Sequence, residues 1–326
     1  MGWSDRRGGS PVDRTTRPRG QLGGGCDNRA VADPEPELPP LLLRMSLNVV
    51  AAGVRALGQH RYRFSDAVAN ATFAVQLERR RVTIRNYRCV FPELSRRQAR
   101  RLAARSYREY ARTSLDFLYF HRPPRTRVIS EMQTFGAESN LLGRLAAGQA
   151  GIMVTIHQGS WDVPTAFAAA HGVPLTAVMA DEGSALISRL VMWARGKIGV
   201  EVVLASRSPR ALLRNLRAGR WIGLVVDIPG PTPSVEVQFL GRGTRFSAAP
   251  GLLAARTGAP LVPVICVRTP NRGYLVEVHP PVQIEPETDP ADALAQVIPI
   301  FEAAVRRWPE QWYPFSRDRV LDTAAS

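Results

Sequence analysis

Ile152-Met153-Val154-Thr155-Ile156-His157-Gln158-Gly159-Ser160-Trp161-Asp162 is an apolar run that stops on a histidine, turns through a glycine and reaches an aspartate five positions later. Apolar and β-branched residues bounded by a turn signal predict a buried strand. Ser160 predicts an N-cap for the helix that follows, and Asp162 suits that helix's positive end. In an α/β sheet, ligands gather in the crevice beyond the carboxyl ends of the strands. On one continuous helix, positions i and i+5 point about 140° apart. With His157 in the turn and Asp162 in the first helical turn, the two side chains can meet. A histidine held by a carboxylate is a general base, since the carboxylate fixes the tautomer and stabilises the imidazolium. The same spacing also reads as a turn histidine and a capping aspartate. No GxSxG elbow accompanies it, so the usual mark of a serine nucleophile is missing.

Downstream, strand-sized apolar runs at 175–179, 200–204, 222–226, 261–267 and 274–278 alternate with helix-sized patterns at 166–170, 184–198 and 209–216. This alternation predicts an α/β domain over 148–317, with a mixed, largely parallel sheet flanked by helices. Asp227 ends one such run and so points toward the same crevice as His157. Residues 291–307 predict one final helix, closed by Trp308-Pro309.

Upstream, residues 78–127 hold fifteen arginines against four acidic residues. Leu94, Ala99, Leu102, Ala103, Tyr107 and Tyr110 recur there at helical spacing, behind Ser95 as an N-cap. The pattern predicts basic amphipathic helices, either a solvated face or a surface that meets anionic lipid. Residues 41–57 are apolar but for Arg44 and Arg55, and read as a core helix or as one lying in a membrane interface. Residues 41–130 form the expected N-terminal helical, membrane-facing part. Residues 1–40, rich in Gly, Pro and Arg, read as a disordered tail, and 318–326 as a flexible end.

The chain has 326 residues, 45% hydrophobic, and a net charge of +15. These figures exclude wholesale disorder and a disulfide-stapled miniprotein. No apolar run reaches the roughly 18–20 residues of a spanning helix. Cys26, Cys89 and Cys266 lie far apart, so neither a zinc site nor a disulfide framework is indicated. Lys197 is the only lysine, so the positive charge is arginine, which binds carboxylates and phosphates in a planar fork.

The segment His157-Gln158-Gly159-Ser160-Trp161-Asp162 resembles the H-x4-D/E motif of the lysophospholipid acyltransferase superfamily. Trp161 makes it similar to the glycolipid branch, which holds the late acyltransferases of lipid A synthesis and the phosphatidylinositol mannoside acyltransferases. Other blocks follow in that branch's order. Arg85-Asn86 through Phe91-Pro92-Glu93-Leu94-Ser95 looks like its R-N-x5-F-P-E-L-S, and the block from Arg195 to Gly199 its R-x3-G. Val237-Gln238-Phe239-Leu240-Gly241 is similar to V-x-F-F-G, and Pro309-Glu310-Gln311-Trp312 to the terminal P-E-Q-W. The resemblance spans about 45–317. Two departures are Ser160, where the branch often has Asn, and Asp162, where many lipid A enzymes have Glu.

The resemblance implies transfer of a fatty acyl group from a thioester, on acyl carrier protein or coenzyme A, to a hydroxyl of a membrane glycolipid. His157 would be the base, Asp162 would orient it, and Arg195 would contact the oxyanion or a phosphate. Gly159, Trp161, Asp227, Phe239, Gly241 and Arg245 would lie on the substrate side, with Asp227 open to three readings: supporting His157, binding the acceptor, or capping its strand. It implies no metal and no cofactor beyond the donor. The expected place is the cytoplasmic face of the bacterial inner membrane, held peripherally or monotopically on an anionic surface. The rivals are a basic nucleic-acid-binding protein, though no such motif is present, and a lipid binder without catalysis.

Overall fold

The run 152–156 forms the middle of the sheet because it is apolar on both faces. In the computed structural model, which describes residues 38–120, 125–179, 184–205, 209–228, 233–271 and 273–317, it is strand β2 (Ile152–Thr155). Before it comes β1 (Met132–Phe135), and after it β3 (Leu175–Met179), β4 (Glu201–Leu204) and β5 (Trp221–Val225). A hairpin of β6 (Ser234–Phe239) and β7 (Arg242–Ser247) follows, then β8 (Leu261–Arg268) and β9 (Tyr274–Val278). Seven strands make one sheet ordered β1–β9–β8–β2–β5–β3–β4, and only the β8–β9 pair is antiparallel. The fold is α/β with a mixed, largely parallel sheet.

Successive side chains of a strand point to opposite faces, and here both faces are covered. Ile152, Val154 and Ile156 enter one hydrophobic cluster with Ile222, Leu224 and Val226. Met153 enters the other, with Leu175, Trp221 and Val264. Helices α7 (Asp162–Ala170), α8 (Ala185–Gly196) and α9 (Pro209–Arg217) link the parallel strands. Helix α10 (Ala249–Thr257) leads into β8.

The N-terminal part is helical: α1 (Leu41–Ala56), α2 (Arg61–Val75), α3 (Leu77–Val90), α4 (Arg96–Tyr119), and the short α5 (Arg125–Ser130) and α6 (Gly143–Ala146). Ser95 and Gln98 close a reciprocal capping box at the start of α4. Phe73, Tyr87, Ala99, Leu102 and Tyr107 share a cluster with Ile152, so the basic helices pack directly on the sheet layer. Their arginines take the remaining faces. The tail expected over residues 1–40 lies outside the described residues up to residue 37, and the expected flexible end at 318–326 lies outside them entirely.

Several expectations change. The final helix is two, α11 (Pro290–Ala295) and α12 (Ile298–Arg307). Pro299 cannot donate to the Ala295 carbonyl, so the helix breaks and restarts with proline in its first turn. The reading of α1 as a core helix fails: Ala51 and Val54 are buried, while Leu42 is 78% and Val49 71% exposed. Strand β1 is too short and polar to announce itself. The β6–β7 hairpin turns through Leu240 and Gly241, both at positive φ. Glycine there is ordinary for a two-residue turn, and leucine is not. Leu240 is held by its own burial and by donating its N–H to Glu302 Oε1 at 2.6 Å.

Candidate active site

His157 stands just past the carboxyl end of β2, beside the corresponding end of β5. The ladder runs one residue beyond β5, with Val226 N–H donating at 2.9 Å to the carbonyl of Thr155, the last residue of β2. That step brings Asp227 level with His157. One carboxylate oxygen, Asp227 Oδ1, lies 2.9 Å from the His157 backbone nitrogen and 2.8 Å from ring atom Nδ1. Asp227 is 1% exposed and His157 24%. An ionised carboxylate only accepts, so Nδ1 carries the proton and Nε2 keeps a lone pair. The arrangement is an imidazole held in one tautomer by a buried anion, a geometry that can accept a proton at Nε2.

The meeting expected between His157 and Asp162 is not what the structure shows. Asp162 opens α7, and its Oδ1 accepts from Arg195 Nε at 2.9 Å and Nη2 at 2.7 Å. The Trp161 ring stands against the imidazole instead, with centroids 5.0 Å apart. So the two carboxylates divide the work: Asp227 orients the histidine and Asp162 anchors Arg195. Both members of the Asp162–Arg195 pair are largely buried. They line a small cavity of about 50 Å³ with Thr155, Met153, Ala177 and Gly223. Ser160 is not the N-cap. Trp161 occupies that position, and the Ser160 hydroxyl is buried without a hydrogen bond.

Gly159 is required by its surroundings. Its φ is +60°, and a Cβ there would sit 1.7 Å from the Cys266 carbonyl oxygen on β8. Its N–H donates to the Gln311 carbonyl at 2.7 Å. Its carbonyl accepts from Thr113 Oγ1 at 2.8 Å and from the Tyr313 hydroxyl at 2.9 Å. The Gln158 amide donates to the Ala304 carbonyl at 2.9 Å. Thus α4 and residues 309–313 grip the turn that carries His157, which accounts for the P-E-Q-W block.

Behind that grip lies a buried charge network not foreseen from the sequence. Arg268 donates to Asp116 Oδ2 at 2.5 Å, Glu109 Oε2 at 2.9 Å, Thr113 Oγ1 at 3.0 Å and the Tyr313 hydroxyl at 3.2 Å. The hydroxyls of Tyr62 and Tyr274 each donate to Asp116 Oδ1 at 2.7 Å. Burial opposes the charge on Arg268, but Asp116, with Tyr313 and Glu109, holds its pKa well above the ordinary arginine value. Burial pushes the Tyr313, Tyr62 and Tyr274 phenols up, so they remain donors. It also pushes the Cys266 thiol up, which makes a thiolate nucleophile unfavourable there. The available signals were an arginine ending an otherwise apolar strand and an isolated aspartate in an arginine-rich helix.

The remaining candidates do not gather at His157. Phe239 is core, with its ring 5.3 Å from Phe246 and 6.1 Å from Trp312. Gly241 makes the hairpin turn, and Arg245 is exposed on β7 opposite Glu236. Among the described residues, no three His, Cys, Asp or Glu side chains are grouped so as to hold a metal ion.

A family model described as bacterial lipid A biosynthesis acyltransferase matches residues 41–318. A phosphatidylinositol mannoside acyltransferase of Mycolicibacterium smegmatis is 26% identical over 188 residues, 56% of this chain and 61% of that protein. The protein of the same name from Mycobacterium tuberculosis H37Rv is 27% identical over 199 residues, 60% of this chain and 62% of that protein. The matches therefore span about three fifths of the relatives' length. The solved 1-acyl-sn-glycerophosphate (LPA) acyltransferase PlsC from Thermotoga maritima aligns over 77% of this chain and 99% of its own. At 14% identity and a TM-score of 0.38, that likeness is too loose to argue from.

Proposed function

The chain belongs to the bacterial lipid A biosynthesis acyltransferase family, and from that premise we propose that it moves a fatty acyl group from a thioester to a hydroxyl of a membrane glycolipid. The observation that carries this reading is the His157–Asp227 pair, one buried oxygen fixing both the backbone and the ring of a histidine at the carboxyl edge of the sheet. His157 Nε2 takes the proton of the acceptor hydroxyl as its oxygen attacks the thioester carbonyl. Asp227 stabilises the imidazolium that forms. The tetrahedral intermediate then collapses, the C–S bond breaks and the thiolate leaves with the proton from His157. No acyl-enzyme is needed, because the donor is already activated. Two of the Arg195 N–H groups are taken by Asp162, and the rest of its fork serves the developing oxyanion.

The donor is acyl carrier protein or coenzyme A, and the acceptor a lipid A precursor or a phosphatidylinositol mannoside. Asp162 in place of Glu, and the names of the relatives, favour the second acceptor. The lipid-facing side is the exposed apolar stripe of α1 and α2, where Leu42, Val49, Phe64, Val68 and Val75 face outward. Such a face suits the interface of the inner membrane, with the arginines of α3 and α4 toward anionic headgroups. No single helix among the described residues is long and apolar enough to cross a membrane.

The test offers acyl-CoA and acyl carrier protein, in turn, with lipid A precursors, mannosylated phosphatidylinositols and lysophospholipids, and follows products by mass spectrometry. A product formed by wild type and not by His157→Ala establishes the reaction and names the acceptor. Full turnover by His157→Ala would sink the mechanism.

A further inference from the structure

Away from His157, helix α3, the start of α4 and the β6–β7 hairpin enclose a second cleft of about 430 Å³. Arg81, Arg85, Arg88, Arg96 and Arg242 line it over a floor of Ile84 and Cys89, and no carboxylate is among its described lining residues. Arg81, Arg85 and Arg88 stand at i, i+4 and i+7, so α3 presents them as one stripe. Like charges at that spacing weaken a helix. Arg96 opens α4, where the helix dipole disfavours a cation, and the first turn of α4 contains no acidic residue. Arg88, in the last turn of α3, is the one member that the dipole favours. Two of the five are aimed by the backbone. Arg242 Nε donates to the Cys89 carbonyl at 3.2 Å, and Arg85 Nη2 to the Arg317 carbonyl at 3.3 Å. Local rules broken together, in a concave site, mark a functional position.

We infer that this cleft binds a phosphate-bearing group. The planar forks suit phosphate oxygens, several can engage one diphosphate, and a bound dianion removes the repulsion between them. The inference stands on the cleft alone and does not depend on acyl transfer.

Binding is measured by calorimetry with three probes. They are inorganic pyrophosphate, adenosine 3′,5′-bisphosphate, and phosphatidylcholine vesicles with or without phosphatidic acid. The preferred probe separates a free phosphate, a nucleotide and a lipid headgroup as the source. The variant Arg81→Gln/Arg88→Gln/Arg96→Gln changes three exposed side chains of the cleft. The control Arg210→Gln/Arg217→Gln/Arg256→Gln removes the same charge from exposed positions elsewhere. Circular dichroism checks that both variants fold like the wild type. Saturable binding that weakens at least about tenfold in the cleft variant, and holds in the control, is the expected result. Equal weakening in both variants reveals only diffuse electrostatics and overturns the inference. So does the absence of saturable binding of every probe to the wild type.

Discussion

His157 can act as a base only while its Nδ1 proton stays where Asp227 holds it. Asp227→Asn puts an amide there, which can donate to Nδ1 and reverse the tautomer. Turnover should fall about 100- to 10,000-fold, as for loss of the base itself, with acceptor binding little changed; steady-state kinetics separates the two. Asp162→Asn weakens the hold on Arg195 and leaves the histidine in place. It should lower turnover about tenfold, or ~1.4 kcal/mol, so Asp227→Asn must be the more damaging. The reverse ranking would return the orienting role to Asp162. Gly159→Ala meets a backbone carbonyl rather than a yielding side chain. It should lower the melting temperature and abolish activity together.

At the scale of elements, β2, β3, β4, β5, β8 and β9 were legible because each is a short apolar run between turn signals, and 274–278 is found as β9 with the expected bounds, whereas the polar β1 was not. The hairpin was not, since Leu240 at positive φ hides its turn, nor was the break at Pro299 inside a helical pattern. At the site, spacing favoured the carboxylate five residues from His157, whereas strand register delivered the one seventy residues away. Pairing of that kind is set by which strands are neighbours, so the sequence left support of His157 as one of three readings of Asp227 and could not choose among them. The Gly159 grip was hidden for the same reason: Thr113, Arg268 and Tyr313 come from α4, β8 and the segment after α12. Tyr313→Phe removes one bond to the Gly159 carbonyl and one acceptor for Arg268. A cost of about 1–3 kcal/mol is expected for a buried bond of this type. The melting temperature should drop by several degrees, with a further loss of turnover because the turn loosens. Undiminished turnover at a lower melting temperature would make Tyr313 purely structural.

For the whole molecule, the buried phenols set an alkaline limit. Tyr62, Tyr87, Tyr274 and Tyr313 all have pKa values raised first by burial. An unfolded tyrosine ionises near pH 10, while these keep their protons in the folded state. Above that pH the unfolded chain binds fewer protons, so the phenols' contribution is complete below about pH 10 and is lost as pH rises beyond it, while the buried Cys266 thiol, also raised by burial, begins to lose its contribution about one unit lower. Thermal melts from pH 7 to 11 should be flat, fall slightly from about pH 9 as the Cys266 contribution goes, and fall steeply beyond about pH 10; a steep fall beginning at pH 8 would point to another group. The exposed stripe of α1 and α2 makes an independent prediction. Changing Leu42, Val49 and Phe64 to serine should reduce sedimentation with anionic vesicles at least tenfold, about 1.4 kcal/mol or more, and leave the melting temperature unchanged.

The grip on Gly159 also sets a schedule. Domains fold from the N-terminus as the chain emerges during synthesis. α1 and α2 are made before the sheet, and the residues that close the turn carrying His157, 309–313, come after every other part of that turn. While the chain is still growing, the exposed stripe of α1 and α2 is already present in full, but His157 has no finished turn to stand on. The turn that carries His157 is therefore closed only once residue 313 has been made, long after the helices that carry the exposed stripe.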